Sequence, residues 1–238
     1  MVLYDRKISD IYDFWVTHGY YDYKKEAEAV ARIVGDGNST FELGIGTGST
    51  AILLAKMGYQ VDGVDNSKYM LSILSKKVKK EELDIGFWKQ DMRKLRIKKN
   101  YDAALSTGGA FIYLSKDNKL FFDSYFSKLS DIRAIFKNVF DILNPEGLFI
   151  INVQSHGESL DLKLPKGINY RLDVVNKSLK HSVRIHSFSK AGKVFLKRAW
   201  DSYRWRKERI DKLARDVGFR SMGLNKKNNF YIFKKIVQ

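Results

Sequence analysis

Three glycines at alternate positions, Gly44, Gly46 and Gly48, constrain the fold of this chain more than any other feature. A predicted strand precedes them, and a predicted helix and a second strand ending in Asp65 follow. Glycine lets the backbone turn tightly and approach a ligand, and the N-terminus of the next helix offers free N–H groups. This order is typical of a βαβ unit that binds a nucleoside cofactor.

The glycine spacing separates two classes of cofactor. A dinucleotide-binding turn needs the spacing G-x-G-x-x-G, but Ser49 stands where the third glycine would fall. Glu42 precedes the first glycine, and its anion would repel a pyrophosphate but tolerate the ammonium group of a methionine. We expect Asp65 to accept hydrogen bonds from both ribose hydroxyls. Asp91, after the third strand, either accepts from an adenine amine or is a turn residue.

Composition places the chain among soluble proteins. It has 238 residues, 44% of them hydrophobic, which is enough for the core of one large domain. It has no cysteine, which excludes disulfides and thiolate chemistry. No apolar run reaches the roughly 18 residues that a membrane span needs, and the N-terminus lacks a signal-peptide pattern, so we expect a cytoplasmic protein without a membrane partner.

The net charge of +16 is unevenly distributed. Residues 1–155 contribute +2, whereas residues 156–238, with 21 Lys and Arg against 7 Asp and Glu, contribute +14. Two interpretations stay open. The charge is either a Lys-rich solvated surface, or the mark of an anionic partner, which would be a phosphorylated or carboxylated small molecule or RNA.

Apolar periodicity predicts strands and helices that alternate up to residue 153. Helices are predicted at 7–17, 22–34, 48–57, 67–79, 128–143 and 205–217, and strands at 39–44, 60–65, 84–89, 101–106, 148–153, 218–224 and 229–236. We expect Asp22 to cap the second helix, and Ser130 or Asp131 to cap the fifth. The alternation predicts an α/β fold with a Rossmann-like, seven-stranded, mostly parallel sheet and helices on both faces.

After the fifth strand the pattern changes to short alternating runs, which predict an antiparallel β cap inserted over the sheet. We therefore expect one domain over 1–238 with four parts. These are an N-terminal helical lid (1–35), a cofactor-binding core (36–154), an antiparallel substrate cap (155–203), and a closing helix with two strands (204–238).

Five motifs resemble those of class I S-adenosylmethionine-dependent methyltransferases. They are E-L-G-I-G-T-G at 42–48, G-V-D-N-S-K-Y-M-L at 63–71, Q-D-M-R-K-L at 90–95, Y-D-A-A at 101–104 and L-N-P-E-G at 143–147. Tyr12-Asp13 and Asp22-Tyr23 are similar to a narrower group, small-molecule N- and O-methyltransferases that include amino-sugar N-methyltransferases.

The resemblance implies that the chain binds S-adenosyl-L-methionine, releases S-adenosyl-L-homocysteine and needs no metal. The implied cofactor-binding residues are Tyr23, Glu42, Gly44, Gly46, Gly48, Asp65, Asn66, Asp91, Met92 and Ser106. The implied catalytic residues are Tyr12 and Tyr113, and Tyr113 stands where the amino-sugar group carries a histidine. Histidines 18, 156, 181 and 186 show no metal-binding spacing, and we expect them on the surface or in the cap.

The resulting prediction is methyl transfer to a nitrogen or oxygen of a small, polar or anionic acceptor that the cap selects. One or two of Arg171, Arg184, Lys197 and Arg198 should then face the pocket. Two alternatives remain. One is an RNA methyltransferase that uses the basic C-terminal third, and the other is a non-enzymatic protein that binds the cofactor as a ligand.

Overall fold

The computed structural model describes residues 3–19, 21–108, 110–116, 119–154 and 159–236, and it has an α/β fold. The helices are α1 Arg6–Gly19, α2 Tyr23–Val34, α3 Ser49–Lys56, α4 Lys68–Lys80, α5 Leu129–Ile142 and α6 Lys207–Val217. The strands are β1 Ser39–Leu43, β2 Gln60–Asp65, β3 Ile85–Lys89, β4 Tyr101–Ser106, β5 Phe111–Lys116, β6 Lys119–Ser124, β7 Leu143–Gln154, β8 Leu160–Leu164, β9 Ile168–Asn176, β10 His181–Lys190, β11 Lys193–Arg206, β12 Phe219–Asn225 and β13 Phe230–Lys235.

Parallel strands form one side of the sheet, in the order β3-β2-β1-β4-β7. β13 pairs antiparallel with β7, and β12 pairs antiparallel with β13. The chain adds β2 and β3 on one side of β1 and then crosses to place β4 on the other side. Ligands of open α/β sheets bind beyond the carboxyl ends of the strands at such a switch point. The glycine-rich turn follows β1 and therefore lies at this place.

Helices cover both faces of the parallel strands, as predicted. One apolar cluster contains Val30, Leu54 and Leu74, which come from α2, α3 and α4. The other contains Phe136 of α5 and Leu213 of α6. These side chains are fully or almost fully buried, so the amphipathic helices are held mainly by packing on the sheet.

A hairpin formed by β5 and β6 was not predicted. β7 extends beyond the end of β4. The last residue of β4, Ser106, lies opposite Ile151, so the final residues of β7 have no partner from β4 along that edge. β5 adds to this edge in parallel through Tyr113 and Val153. β6 then pairs antiparallel with β11, and β8 to β11 follow as antiparallel neighbours. The described strands therefore form one connected sheet of thirteen, rather than the predicted seven strands with a separate insertion.

Local capping signals are only partly correct. The Asp22 side chain accepts a hydrogen bond from the Lys25 N–H at 3.1 Å, so the predicted cap of α2 is confirmed. The predicted cap of α5 is wrong, because that helix begins after Lys128 and has no side-chain cap bond. The hydrophobic residues that pack α5 on the core decide where it begins, since a cap contributes only about 1 kcal/mol.

The helix α1 packs on the antiparallel strands rather than on the parallel ones. Its Ile8 and Trp15 are buried in a cluster with Tyr170, Phe188 and Trp200 of β9, β10 and β11. The helix thus bridges the glycine-rich turn and the antiparallel region. Among the residues described, no helix is both long and apolar enough to cross a membrane.

Candidate functional site

Two adjoining cavities open at the carboxyl ends of the parallel strands. The strand-edge cavity, about 250 Å³, is lined by Asp65, Asn66, Gln90, Asp91 and Met92, among others. The aromatic cavity, about 130 Å³, is lined on its polar side by Glu42, Thr107, Asp123, Arg184 and His186. Both cavities share the residues Tyr4, Tyr12, Gly44, Gly46, Gly108, Ala110 and Tyr125. A long ligand can therefore extend from one cavity into the other.

The glycine-rich turn positions the carboxylate of Asp65. Gly46, at φ +56°, donates its N–H to Asp65 Oδ2 at 3.1 Å, and the Ser67 N–H donates to Oδ1 at 2.7 Å. These bonds fix the carboxylate at the wall of the strand-edge cavity. Burial raises the pKa of Asp65, and the two N–H groups oppose that rise.

Gly48 lies outside both cavities. Its φ is +76°, and a Cβ at this position would come within 2.2 Å of Leu74 Cδ1. The third glycine is thus required for packing of α3 against α4, whereas Gly44 and Gly46 line the cavities.

Glu42 is buried at the end of β1 and has one free oxygen. Its Oε1 accepts a hydrogen bond from Thr107 Oγ1 at 2.5 Å, and its Oε2 has no partner among the described residues. Burial, together with the nearby carboxyls of Glu26 and Asp65, raises the pKa of Glu42 to about 8. A cation bound beside Oε2 would reverse this shift and stabilise the carboxylate.

Glu26 is a buried acid that the sequence analysis did not single out. It accepts hydrogen bonds from Thr50 Oγ1 at 2.7 Å and from Asn152 Nδ2 at 3.0 Å. Burial raises its pKa to about 7. Its position four residues before Val30, on the apolar face of α2, was the available signal.

The side chain of Tyr21 joins Glu26 to the loop after β4. Its hydroxyl contacts both the Glu26 carboxyl group and the carbonyl of Thr107. A phenol has one proton, so it cannot donate to both acceptors. Protonated Glu26 donating to Tyr21, which donates to Thr107, satisfies all three groups. This chain of bonds ties the start of α2 to the rim of the aromatic cavity.

The predicted adenine-side residues line the strand-edge cavity. Arg93 donates to both carboxylate oxygens of Asp91 and holds the pKa of that carboxyl below its usual value. The backbone carbonyl of Met92 accepts a hydrogen bond from Asn138 at 2.9 Å. Met92 itself lines the strand-edge cavity. Asn66 also lines this cavity. The predicted roles of these residues stay predictions.

The predicted tyrosines of the N-terminal segment lie at the cavities. Tyr12 lines both, and Tyr23 lines the aromatic cavity, where burial raises its pKa. Asp13 attaches α1 to the glycine-rich turn, because its carboxylate accepts from Thr47 Oγ1 at 2.5 Å and pairs with Lys77 Nζ at 2.7 Å. The segment thus covers the turn in this structure.

Besides Gly48, two other predicted site residues lie outside both cavities. Tyr113 lines neither cavity; its ring is fully buried and stacks on Tyr231 at 4.3 Å between centroids. Its hydroxyl has no partner among the described residues, and burial raises its pKa well above the usual range, so it is not placed to handle a proton. The hairpin that contains Tyr113 turns this side chain into the core. Ser106 also lines neither cavity, since its hydroxyl donates to the Phe111 carbonyl at 2.9 Å.

The far wall of the aromatic cavity comes from the antiparallel strands. Arg184 Nη2 pairs with Asp123 Oδ2 at 2.7 Å, and both side chains are almost buried. Of the four cations proposed for the pocket, Arg184 alone is in its lining, whereas Arg198 pairs with Asp5.

His186 is also in the wall, buried rather than on the surface, and burial lowers its pKa to about 3. His156 lies outside the described residues. Within those residues, no cluster of three or more His, Asp or Glu side chains could hold a metal.

Comparison with known proteins identifies the domain. A family model described as a methyltransferase domain matches residues 41–147. YqeM of Bacillus subtilis, whose name describes it provisionally as a methyltransferase, is 32% identical over 149 residues, which are 62% of this chain and 54% of that protein. The chain spans about half the length of the curated relatives it matches.

Solved structures share the fold over almost the whole chain. An S-adenosylmethionine-dependent methyltransferase from Clostridium acetobutylicum is 18% identical, with a TM-score of 0.73 over 97% of this chain and 98% of that one. CalS10 from Micromonospora echinaspora, an amino pentose methyltransferase solved with S-adenosylmethionine bound, is 14% identical, with a TM-score of 0.72 over 99% of each chain. Residues 41–147 therefore match the methyltransferase domain model, and the chain has the fold of the class I S-adenosylmethionine-dependent methyltransferases, as its motifs predict.

Proposed function

We propose that the chain is an S-adenosylmethionine-dependent methyltransferase that methylates a nitrogen or oxygen of a small molecule. The observation that carries the proposal is the convergence of Glu42, Gly46 and Asp65 on two joined cavities at the switch point of the sheet. The name of YqeM and the bound S-adenosylmethionine of CalS10 support the same activity.

The residues of the strand-edge cavity fit a nucleoside. Asp65 presents a buried carboxylate fixed by two N–H groups, which suits the two hydroxyls of a ribose. A Cβ at Gly44 would meet only Met92 Cε, at 3.9 Å, so the backbone is open to a close approach. Asp91 and Met92 lie further along the same wall and suit an adenine.

Glu42 fits the ammonium group of a methionine moiety. Its Oε2 is buried, has no partner among the described residues and lies in a wall shared with the glycine-rich turn. When bound, S-adenosylmethionine supplies an activated methyl group, whose bond to sulfur breaks as its bond to the acceptor forms. The residues of the chain then bind and align the two reactants and exclude water.

Tyr12 lines both cavities, which supports a position between the two proposed reactants. We propose that it positions the acceptor. Since Tyr113 lies in the core, a proton that leaves the acceptor does not pass to it. An amine that enters as the free base can react without a protein base and release its proton afterwards.

RNA methylation remains the second candidate because of the charge of the C-terminal third. Lys190, Lys193 and Lys197 are exposed on the antiparallel strands, and Lys177 and Lys180 are exposed in the connection between β9 and β10. The aromatic cavity favours the small molecule, since α1 and the antiparallel strands enclose it. RNA binding that weakens steeply between low and moderate salt would favour the polymer.

Calorimetric titration tests the cofactor. We expect S-adenosylhomocysteine and S-adenosylmethionine to bind and NAD not to bind. Glu208→Gln, at an exposed site on α6, is a matched control that should bind as the wild type does, whereas Glu42→Gln should bind more weakly. Binding of NAD without binding of either sulfur nucleoside would contradict the proposal.

A further inference from the structure

We propose that the aromatic cavity binds a neutral ring bearing adjacent hydroxyl groups, held by Asp123 and Arg184 beside Trp15 and Trp200. This inference rests on the proposed function, because the ring would be part of the methyl acceptor. It assigns acceptor recognition to β6, β10 and β11 and to the helix α1.

Two charged side chains at the far wall are incompletely satisfied. Asp123 Oδ2 accepts from Arg184 Nη2 at 2.7 Å and from Ser202 Oγ at 2.6 Å. Asp123 Oδ1 and Arg184 Nε are buried and have no partner among the described residues. Leaving such atoms unpaired in the interior destabilises a fold. Asp123 and Arg184 both line the aromatic cavity, so a group bound there can supply partners for these atoms.

Two further polar atoms of the cavity lining are buried without a hydrogen-bond partner among the described residues. His186 Nδ1 lies 2.9 Å from the Tyr170 hydroxyl, but His186 Nε2 is buried without a partner. Trp15 Nε1 is likewise buried without a partner among the described residues. The cavity wall therefore offers one acceptor, two donors and an imidazole nitrogen that can serve as either.

The charges of this wall cancel. Arg184 and Asp123 form a pair, and His186 is uncharged at neutral pH because burial and the Arg184 charge lower its pKa to about 3. An added carboxylate or phosphate would meet Asp123 without a second cation in the lining to balance it. A hydroxyl group both donates and accepts, so adjacent hydroxyls can serve Asp123 Oδ1 and Arg184 Nε together.

Aromatic side chains supply the apolar part of the subsite. The centroid of the Trp200 ring lies 4.3 Å from that of the His186 ring. The centroid of the Trp15 ring lies 5.2 Å from that of His186, and the two ring planes are nearly perpendicular. Tyr125 also lines the cavity and contacts Trp200. Flat aromatic faces pack against the C–H groups of a saturated ring, while its hydroxyls reach the polar wall. This arrangement narrows the earlier expectation of a polar or anionic acceptor to a neutral, hydroxylated one.

Saturation-transfer NMR on the protein saturated with S-adenosylhomocysteine tests the inference. The probes are three rings of matched size: cis-1,2-cyclohexanediol, cyclohexanol and cyclohexanecarboxylate. We expect the strongest transfer for the diol, at least threefold above cyclohexanol, and none above background for the carboxylate. Equal or stronger transfer to the carboxylate, or none to the diol, would overturn the proposal. S-adenosylhomocysteine binding, measured first by calorimetry, shows separately whether the proposed function itself has failed.

A pair of double variants locates the signal. Asp123→Asn with Arg184→Met removes both charges of the wall, and the diol signal should fall to that of cyclohexanol. Arg171→Met with Asp173→Asn removes an ion pair of 2.8 Å on β9 outside the cavity lining and should leave the diol signal unchanged. Retention of the diol signal in the first double variant, with a folded protein by circular dichroism, would refute the assignment. If that variant does not fold, the comparison of the three probes on the wild type still decides.

Discussion

Replacing Glu42 with glutamine should stabilise the protein increasingly as the pH rises. The folded state holds the Glu42 proton up to a pKa of about 8, whereas an unfolded glutamate releases it near 4.5. Between these values the unfolded state binds fewer protons, so the free energy of unfolding of the wild type falls as the pH rises. Glutamine resembles the protonated acid and does not titrate, so the variant lacks this loss.

The magnitude follows from the difference between the two pKa values. About 3.5 pH units at about 1.4 kcal/mol each give a loss of up to about 5 kcal/mol for Glu42 by pH 8, an order-of-magnitude value for a fully buried group. At pH 6 the same reasoning gives about 2 kcal/mol. Glu26 titrates in both proteins and reduces the stability of each at higher pH, and because the two carboxyls interact, the difference between the proteins reports Glu42 together with its coupling to Glu26.

Urea unfolding of wild type and Glu42→Gln at pH 5, 6, 7 and 8 provides the measurement. We expect the difference in the free energy of unfolding to grow by about 1.4 kcal/mol per pH unit in favour of the variant. Glu208→Gln, at an exposed site, should show a difference that does not change with pH. Parallel pH profiles for wild type and Glu42→Gln would refute the reasoning and would mean that Glu42 is ionised in the folded protein.

Three other substitutions test the site. Asp65→Ala should weaken S-adenosylhomocysteine binding by about 2–3 kcal/mol in calorimetry, because two hydroxyls lose a charged acceptor; unchanged affinity would place the ribose elsewhere. Tyr113→Phe should leave methyl transfer and cofactor affinity unchanged, since the lost hydroxyl lies in the core and bonds to none of the residues that the structure describes; a large loss of activity would contradict this placement. Asp13→Ala should speed tryptic cleavage within residues 1–23, and bound S-adenosylhomocysteine should slow it in the wild type, because Asp13 ties α1 to Thr47 and Lys77; equal rates would argue against a lid.

The sequence alone predicted the features that neighbouring residues control. Alternating periodicity placed β2 and β4 at their observed bounds, and Asp22 caps its helix, as predicted, through a bond to Lys25 three positions away. The glycine spacing with Glu42 and Asp65 predicted a ligand site at the carboxyl ends of β1 and β2, where the two cavities adjoin, because a strand, turn and helix bring these groups together within one βαβ unit. Such contacts depend on short-range geometry that the chain itself imposes.

Only the tertiary structure decided which distant residues meet in the aromatic cavity. Asp123 and Arg184 are 61 positions apart, and the hairpin β5–β6 brings them together by joining β7 to β11. The same hairpin directs Tyr113 into the core, and the packing of α2 buries Glu26 beside the loop after β4. Strand pairing across long separations depends on the free edges that other strands leave, and no local pattern specifies those edges. The sequence thus predicted the cavity that we propose for the cofactor, and the tertiary structure determined which side chains form the cavity beside it.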